Sequence, residues 1–138
     1  MSTISLASLM TPSKTVEFEF PGYSGFNVSL CYLAREELLK LRNRCISRKF
    51  DKRTHQPIEE LDDETFLVEY CKAVIKGWSG LKYRYLEEFL LVDVSNFDGD
   101  DELPFSEENA RLLMKNSSSF DTWVTDMVQN LENFTKNK

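Results

Sequence analysis

Val16, Phe18 and Phe20 are apolar and Glu17 and Glu19 between them are charged, so this part of the chain alternates with a period of two. Pro21 and Gly22 interrupt the run, and Gly25 precedes a second alternation through Phe26, Val28, Leu30 and Tyr32. Two such runs around a Pro/Gly turn predict a β-hairpin over residues 15–33 with one buried face. A lone hairpin is marginal in water, so it is expected to pack on helices or to pair with another chain. The preceding residues, 1–13, are small and weakly patterned and are expected to form a flexible tail.

From Ala34 onward the period changes. Leu38, Leu41, Cys45 and Ile46 fall at helical spacing and predict a helix over residues 34–50. Residues 51–60 read as a polar connection containing Pro57. Asp62 or Asp63 is the expected cap of a helix over 62–77, with Phe66, Tyr70, Ala73 and Val74 as its apolar stripe. Gly77 ends that helix, and Trp78-Ser79-Gly80-Leu81 reads as a packing corner in which small residues let an indole lie against the core. Leu81, Tyr85, Phe89 and Val92 then suggest a helix over 80–92, although its end could equally be extended. After Pro104, Ser106 caps a short helix over 106–116 whose inner face is Ala110, Leu113 and Met114. Asn116-Ser117-Ser118-Ser119 is a stop and a restart into a helix over 119–134, followed by a polar tail at 136–138. The pattern as a whole predicts an α+β, mostly α fold: an N-terminal hairpin on four to five helices, forming one domain over residues 14–135.

With 138 residues and 41% apolar side chains, ten of them Phe, the chain has material for a real core. Its net charge of −6 gives no Coulombic help toward a phosphate backbone or an anionic bilayer, so neither nucleic acid nor membrane is an expected partner. The charge is unevenly spread. Residues 35–53 hold eight basic and three acidic side chains, whereas residues 93–108 hold seven acids and no base. The basic segment reads either as a solvated helix face or as a binding patch centred on Arg42, Arg44 and Arg48. Cys31, Cys45 and Cys71 are odd in number and have no C-x-x-C spacing, so they read as buried apolar side chains in a reducing compartment.

Candidate chemistry is sparse. His55, the single histidine, lies in the polar connection and has no evident general-base setting. No Gly-rich phosphate loop, H-E-x-x-H or G-x-S-x-G occurs. The acidic run Asp93-Val94-Ser95-Asn96-Phe97-Asp98-Gly99-Asp100-Asp101-Glu102 invites a calcium reading, but a loop starting at Asp93 puts its glycine seventh and one starting at Asn96 puts it fourth, so neither frame fits an EF-hand. No catalytic, cofactor or metal residues are therefore expected, and a non-enzymatic binding protein is. Its docking surface would be a helical groove or the free edge of the hairpin.

The order of features carries more than any one of them. A front hairpin leads into LAREELLKLRNRC, then a helix running into AVIKGWSGL, an acidic loop, LPFSEENARLLMKNSSSFDTWV and a last helix ending LENF. In that order the chain resembles the tail assembly chaperones of long-tailed bacteriophages over roughly residues 15–134, most specifically at 75–81 and 103–124. The segment 82–101 is longer than the short acidic turn of many relatives.

The resemblance implies a non-enzymatic protein of the host cell cytoplasm, without cofactors. Such a protein binds the long, largely helical tape measure protein, keeps it soluble until the tail tube protein polymerises around it, and is absent from the mature virion. A frameshifted longer form of the chain and self-association are further expected partners. The candidate partner-binding residues are Arg42, Arg44, Arg48, Trp78 and Trp123, the two tryptophans having an alternative reading as core. Two other functions stay open at this level: a minor structural or tail-completion protein of the particle, and a small metal-dependent enzyme using the acids at 98–102.

Overall fold

The computed structural model describes residues 4–135. The polar tail expected at 136–138 and the first three residues of the expected N-terminal tail lie outside the described residues. The fold is α+β and mostly α. Residues Leu6–Leu9 form a single helical turn, α1, with no buried side chain, where a loose tail was expected.

The front hairpin is present as β1 (Ser13–Glu19) and β2 (Asn27–Leu33), antiparallel, with Val16 opposite Leu30 and Phe18 opposite Val28. Those pairs lie on the face that turns to the core, which is why the register holds: a slip by one would turn Glu17 and Glu19 inward. The hairpin is not alone. A third strand, β5 (Ile75–Ser79), pairs antiparallel with β2, giving the sheet order β1-β2-β5 with β2 in the centre.

This third strand corrects the helix expected over 62–77. Helix α3 (Asp63–Val74) begins where expected, with the Asp62 side chain accepting from the Thr65 amide at 3.1 Å, but it stops at Val74. Ile75 is already extended, and its apolar side chain is buried in the sheet. Helical periodicity runs on to Gly77, yet pairing with the exposed edge of β2 wins over one more turn of helix.

A second correction concerns residues 34–61. Helix α2 (Arg35–Arg44) is shorter than expected, and the remainder forms a second hairpin, β3 (Ile46–Phe50) with β4 (Pro57–Leu61). Arg48 faces Glu59 at 3.4 Å, and Lys49 reaches Glu60 at 3.7 Å. Among the described residues no further strand pairs with either edge of this two-stranded arm. Ile46, Ser47, Asp51 and Leu61 are its partly shielded residues, and the rest are exposed.

Helix α4 (Tyr83–Phe89) is shorter than the expected 80–92, because the chain turns extended at Leu90. The acidic segment after it folds back on itself: the Asp98 carboxylate accepts from the Asp100 amide, and Arg84 pairs with Asp100. Helix α5 (Glu107–Asn116) is capped by Ser106, which accepts from the Asn109 amide at 3.0 Å. Ser117, itself buried, ends α5 and caps α6 (Ser118–Gln129) by accepting from the Phe120 amide at 3.3 Å. The last helix breaks at Asn130 and resumes as α7 (Glu132–Thr135), so the expected helix over 119–134 is two pieces.

The core lies between the three-stranded sheet and α3, α5 and α6. Phe26, Phe120 and Phe134 are fully buried there. Phe20 joins the hairpin turn to the helices, its ring 5.1 Å from Phe89 and 4.6 Å from Trp123. The Gly-Trp corner is a meeting of three segments. The Trp78 indole donates to the Leu103 carbonyl at 3.0 Å, and the Gly80 amide donates to the Glu102 carboxylate at 2.8 Å. Gly80, at φ +78°, lies so close to the hairpin turn that a Cβ there would stand 1.9 Å from the Gly25 carbonyl oxygen.

Candidate functional site

Helix α3 carries apolar side chains at positions 66, 67, 70 and 74, a stripe too wide to be covered by the sheet alone. Phe66 and Tyr70 stack with ring centroids 5.5 Å apart and stay only partly shielded. Helix α2 packs beside α3 and over β2, while α6 packs on β2 and α5. Between these elements an open groove of about 710 Å³ remains. Tyr32 and Leu33 of β2, Val74, Met114 and Val128 contribute to its lining together with the α3 stripe.

The lining is apolar, with charge of both signs arranged by element. Helix α2 presents Arg35, Leu38 and Arg42, a spacing of three and seven that keeps all of them on one face. Helix α6 presents Asp121, Thr125 and Gln129, and Asp63 stands at the start of α3. Burial and then the nearby Asp121 carboxylate hold the Tyr70 phenol up at about 12. Tyr70 therefore stays neutral and offers the groove a ring and a hydroxyl. Such a cleft can hold an apolar stripe of another molecule while its rim orients the polar flanks.

A smaller recess of about 320 Å³ adjoins it and shares Tyr32 and Arg35. Thr11, Lys14, Leu131 and Phe134 contribute to its lining.

The five residues singled out from the sequence do not form one surface. Arg42 lines the groove. Arg44 turns toward Glu69 at 3.9 Å, and Arg48 stands on the β3–β4 arm against Glu59. Trp78 lies against Phe105 edge-on at 5.1 Å, and Trp123 lies against Phe20. Both indoles are half-buried in the core cluster, so the core reading describes their surroundings. Sequence reasoning passed over Arg35, Phe66, Tyr70 and Asp121. The α3 stripe was visible as a period of helical spacing, but periodicity does not say which part of a stripe a neighbour leaves uncovered.

The three thiols are buried and unpaired with one another. Burial, with Asp121 adding to it, pushes the Cys71 thiol up to about 11, and burial followed by Glu69 raises that of Cys45. Thiols held neutral in this way are poor nucleophiles. Among the described residues no three His, Cys, Asp or Glu side chains gather as a metal set. The loop carboxylates organise their own turns: Asp93 accepts from the Ser95 amide and Glu102 from the Gly80 amide. Also among the described residues, no helix is long and apolar enough to cross a membrane.

In a comparison with known families the chain matches the model described as YdaY prophage protein over residues 34–138. The match covers everything from α2 onward and leaves out the front hairpin. No curated protein and no solved structure matches the chain.

Proposed function

The chain belongs to the YdaY prophage protein family, and from that premise we propose that it is a phage tail assembly chaperone, a non-enzymatic protein that holds the tape measure protein in the host cytoplasm. The observation that carries this reading is the open apolar groove between α2, α3 and α6, edged by charge of both signs. A chaperone of a long helical protein needs an apolar cleft that accepts an amphipathic stripe, together with a charged exterior that keeps the complex dispersed. The net charge of −6 supplies the second requirement. The order of segments from AVIKGWSGL to LPFSEENARLLMKNSSSFDTWV, which resembles the tail chaperones, agrees with a phage protein of this kind.

The test is co-expression with the long helical tape measure protein of the same prophage. The expected result is that this protein moves from the pellet to the soluble fraction and co-purifies with the chain. Equal insolubility with and without the chain would overturn the proposal. Mass spectrometry of purified particles separates it from a structural or tail-completion role, since a chaperone is missing from mature virions.

A further inference from the structure

The cations of α2 divide into two sets. On the side away from the groove, Lys40 has Glu36 at 3.8 Å and Glu37 at 3.4 Å, and Arg44 has Glu69 at 3.9 Å. On the groove side, Arg35 and Arg42 have no carboxylate within 4.0 Å among the described residues. Arg35 is also the first residue of α2, where the helix dipole disfavours a cation and the neighbouring Glu36 and Glu37 are the favoured type. Its position costs the helix a little and gains no carboxylate partner among the described residues. Across the cleft, the Asp121 carboxylate accepts from the Thr125 hydroxyl at 3.1 Å.

We propose that this charge pattern selects the groove's ligand: an amphipathic helix whose apolar stripe is bordered by carboxylates along the edge lying against α2. This inference rests on the chaperone reading above and names the chemistry of the partner segment. Arg35 and Arg42 are seven residues apart, so they stand about 10.5 Å apart along the α2 axis. A ligand helix lying along α2 meets both with acids spaced by seven, or by three and four, on one edge of its stripe. Leu38, between the two arginines and 38% exposed, meets the stripe itself. Basic residues on the ligand's other edge then face Asp121.

The experiment uses the full chain and two labelled peptides with the same leucine stripe, bordered on one edge by glutamates in one and by lysines in the other. Fluorescence anisotropy at low salt is expected to give about tenfold tighter binding of the glutamate-bordered peptide, two partly exposed ion pairs being worth about that much. The difference is expected to shrink at high salt. Arg35→Glu with Arg42→Glu reverses the preference, while Arg44→Glu, on the far side of α2, leaves it as it was. Since Glu at the first position of α2 favours the helix, a change at Arg35 is not a folding failure, and an unchanged thermal midpoint checks this.

If both peptides bind equally and the reversed variant behaves the same, the charge rule is overturned and the groove remains as a plain apolar cleft. If neither peptide binds but the tape measure protein is still solubilised, this inference is overturned and the chaperone reading stands on another surface. If solubilisation fails as well, both fall. A chain that self-associates by light scattering, and becomes a monomer able to bind peptide only when residues 4–10 are deleted, has its own N-terminal segment as the groove's occupant; that result also overturns the proposal.

Discussion

The molecule contains two antiparallel hairpins that differ in almost everything except their pairing. In β1–β2 the side chains of one face, Val16, Phe18, Val28 and Leu30, meet helices, and a third strand covers the far edge of β2. In β3–β4 the paired positions carry Arg48 with Glu59 and Lys49 with Ile58, and Phe50 at the tip is 77% exposed. The first hairpin is stabilised by burial. The second has two strands, exposed faces and ion pairs of a kind that contribute little in water. Its form is set at its base, where the Asp62 amide donates to the Cys45 carbonyl at 2.9 Å and joins the end of α2 to the start of α3. Local pairing alone does not tell a structural hairpin from a projecting arm; what lies against its faces does.

The largest expected effect separates them by truncation of one aromatic in each. Phe26→Ala removes a fully buried ring and is expected to cost about 3–5 kcal/mol in chemical denaturation. Phe50→Ala, on the arm, is expected to change stability by less than about 0.5 kcal/mol. Comparable losses at the two positions would mean that the arm is packed against something in solution, and the contrast between the hairpins would break.

Next in size is Gly80→Ala. The new methyl would have to share space with the Gly25 carbonyl at the turn of the front hairpin, and the φ of +78° is strained for any L side chain. A loss on the order of 2 kcal/mol is expected, with protection against hydrogen exchange falling in β1–β2 and not in β3–β4. An equal fall in both hairpins would show that the Gly80 corner supports more than the front sheet.

Titration sharpens the same contrast. Tyr70 and Cys71 lie on α3, which packs on the front sheet, and their ionisation is held up to about 12 and about 11 by burial and Asp121. Folded values above the unfolded ones mean that the neutral forms are favoured in the native state. Their contribution is complete below about pH 9 and is lost as pH rises from roughly 9 to 11 for Cys71 and from roughly 10 to 12 for Tyr70. The thermal midpoint is therefore expected to fall across that window, and Tyr70→Phe is expected to blunt the fall. An identical alkaline profile for the variant would sink this assignment.

The smallest effect is expected from excising the arm. Joining Ile46 to Leu61 through a two-residue Asn-Gly turn removes few shielded side chains, so the midpoint should move by no more than a surface change does. Loss of tape measure solubilisation in this variant, with stability kept, would move the binding surface from the groove to the arm.

Some of this was legible in the chain. The front hairpin follows from strict alternation around Pro21 and Gly22, α5 follows from Ser106, which caps as its position suggests, and the restart into α6 follows from the serine run. These are local decisions, made by backbone hydrogen bonds and turn residues a few positions apart. The β3–β4 arm was not legible, because residues 46–50 continue the helical spacing of α2, residues 51–60 read as a polar connection, and neither strand has an apolar face to mark it. Ile75–Ser79 was not legible either: the residues suit a helix end, and only the free edge of β2, more than forty residues earlier, makes them a strand.

The groove belongs with these. Sequence periodicity marked Phe66 and Tyr70 as part of an apolar stripe and α2 as basic, but it did not single out the rings as a binding surface and chose Arg44 and Arg48 beside Arg42. Which arginines face a cleft depends on the angle at which α2 lies on α3 and β2, and that angle is set by side-chain packing between distant segments. By itself the sequence determined the α+β class, the caps and the buried face of the front hairpin, since each depends on short-range periodicity. Tertiary structure alone decided the third strand, the bare arm and the uncovered stripe of α3, because exposure is a property of neighbours that the local chain does not contain.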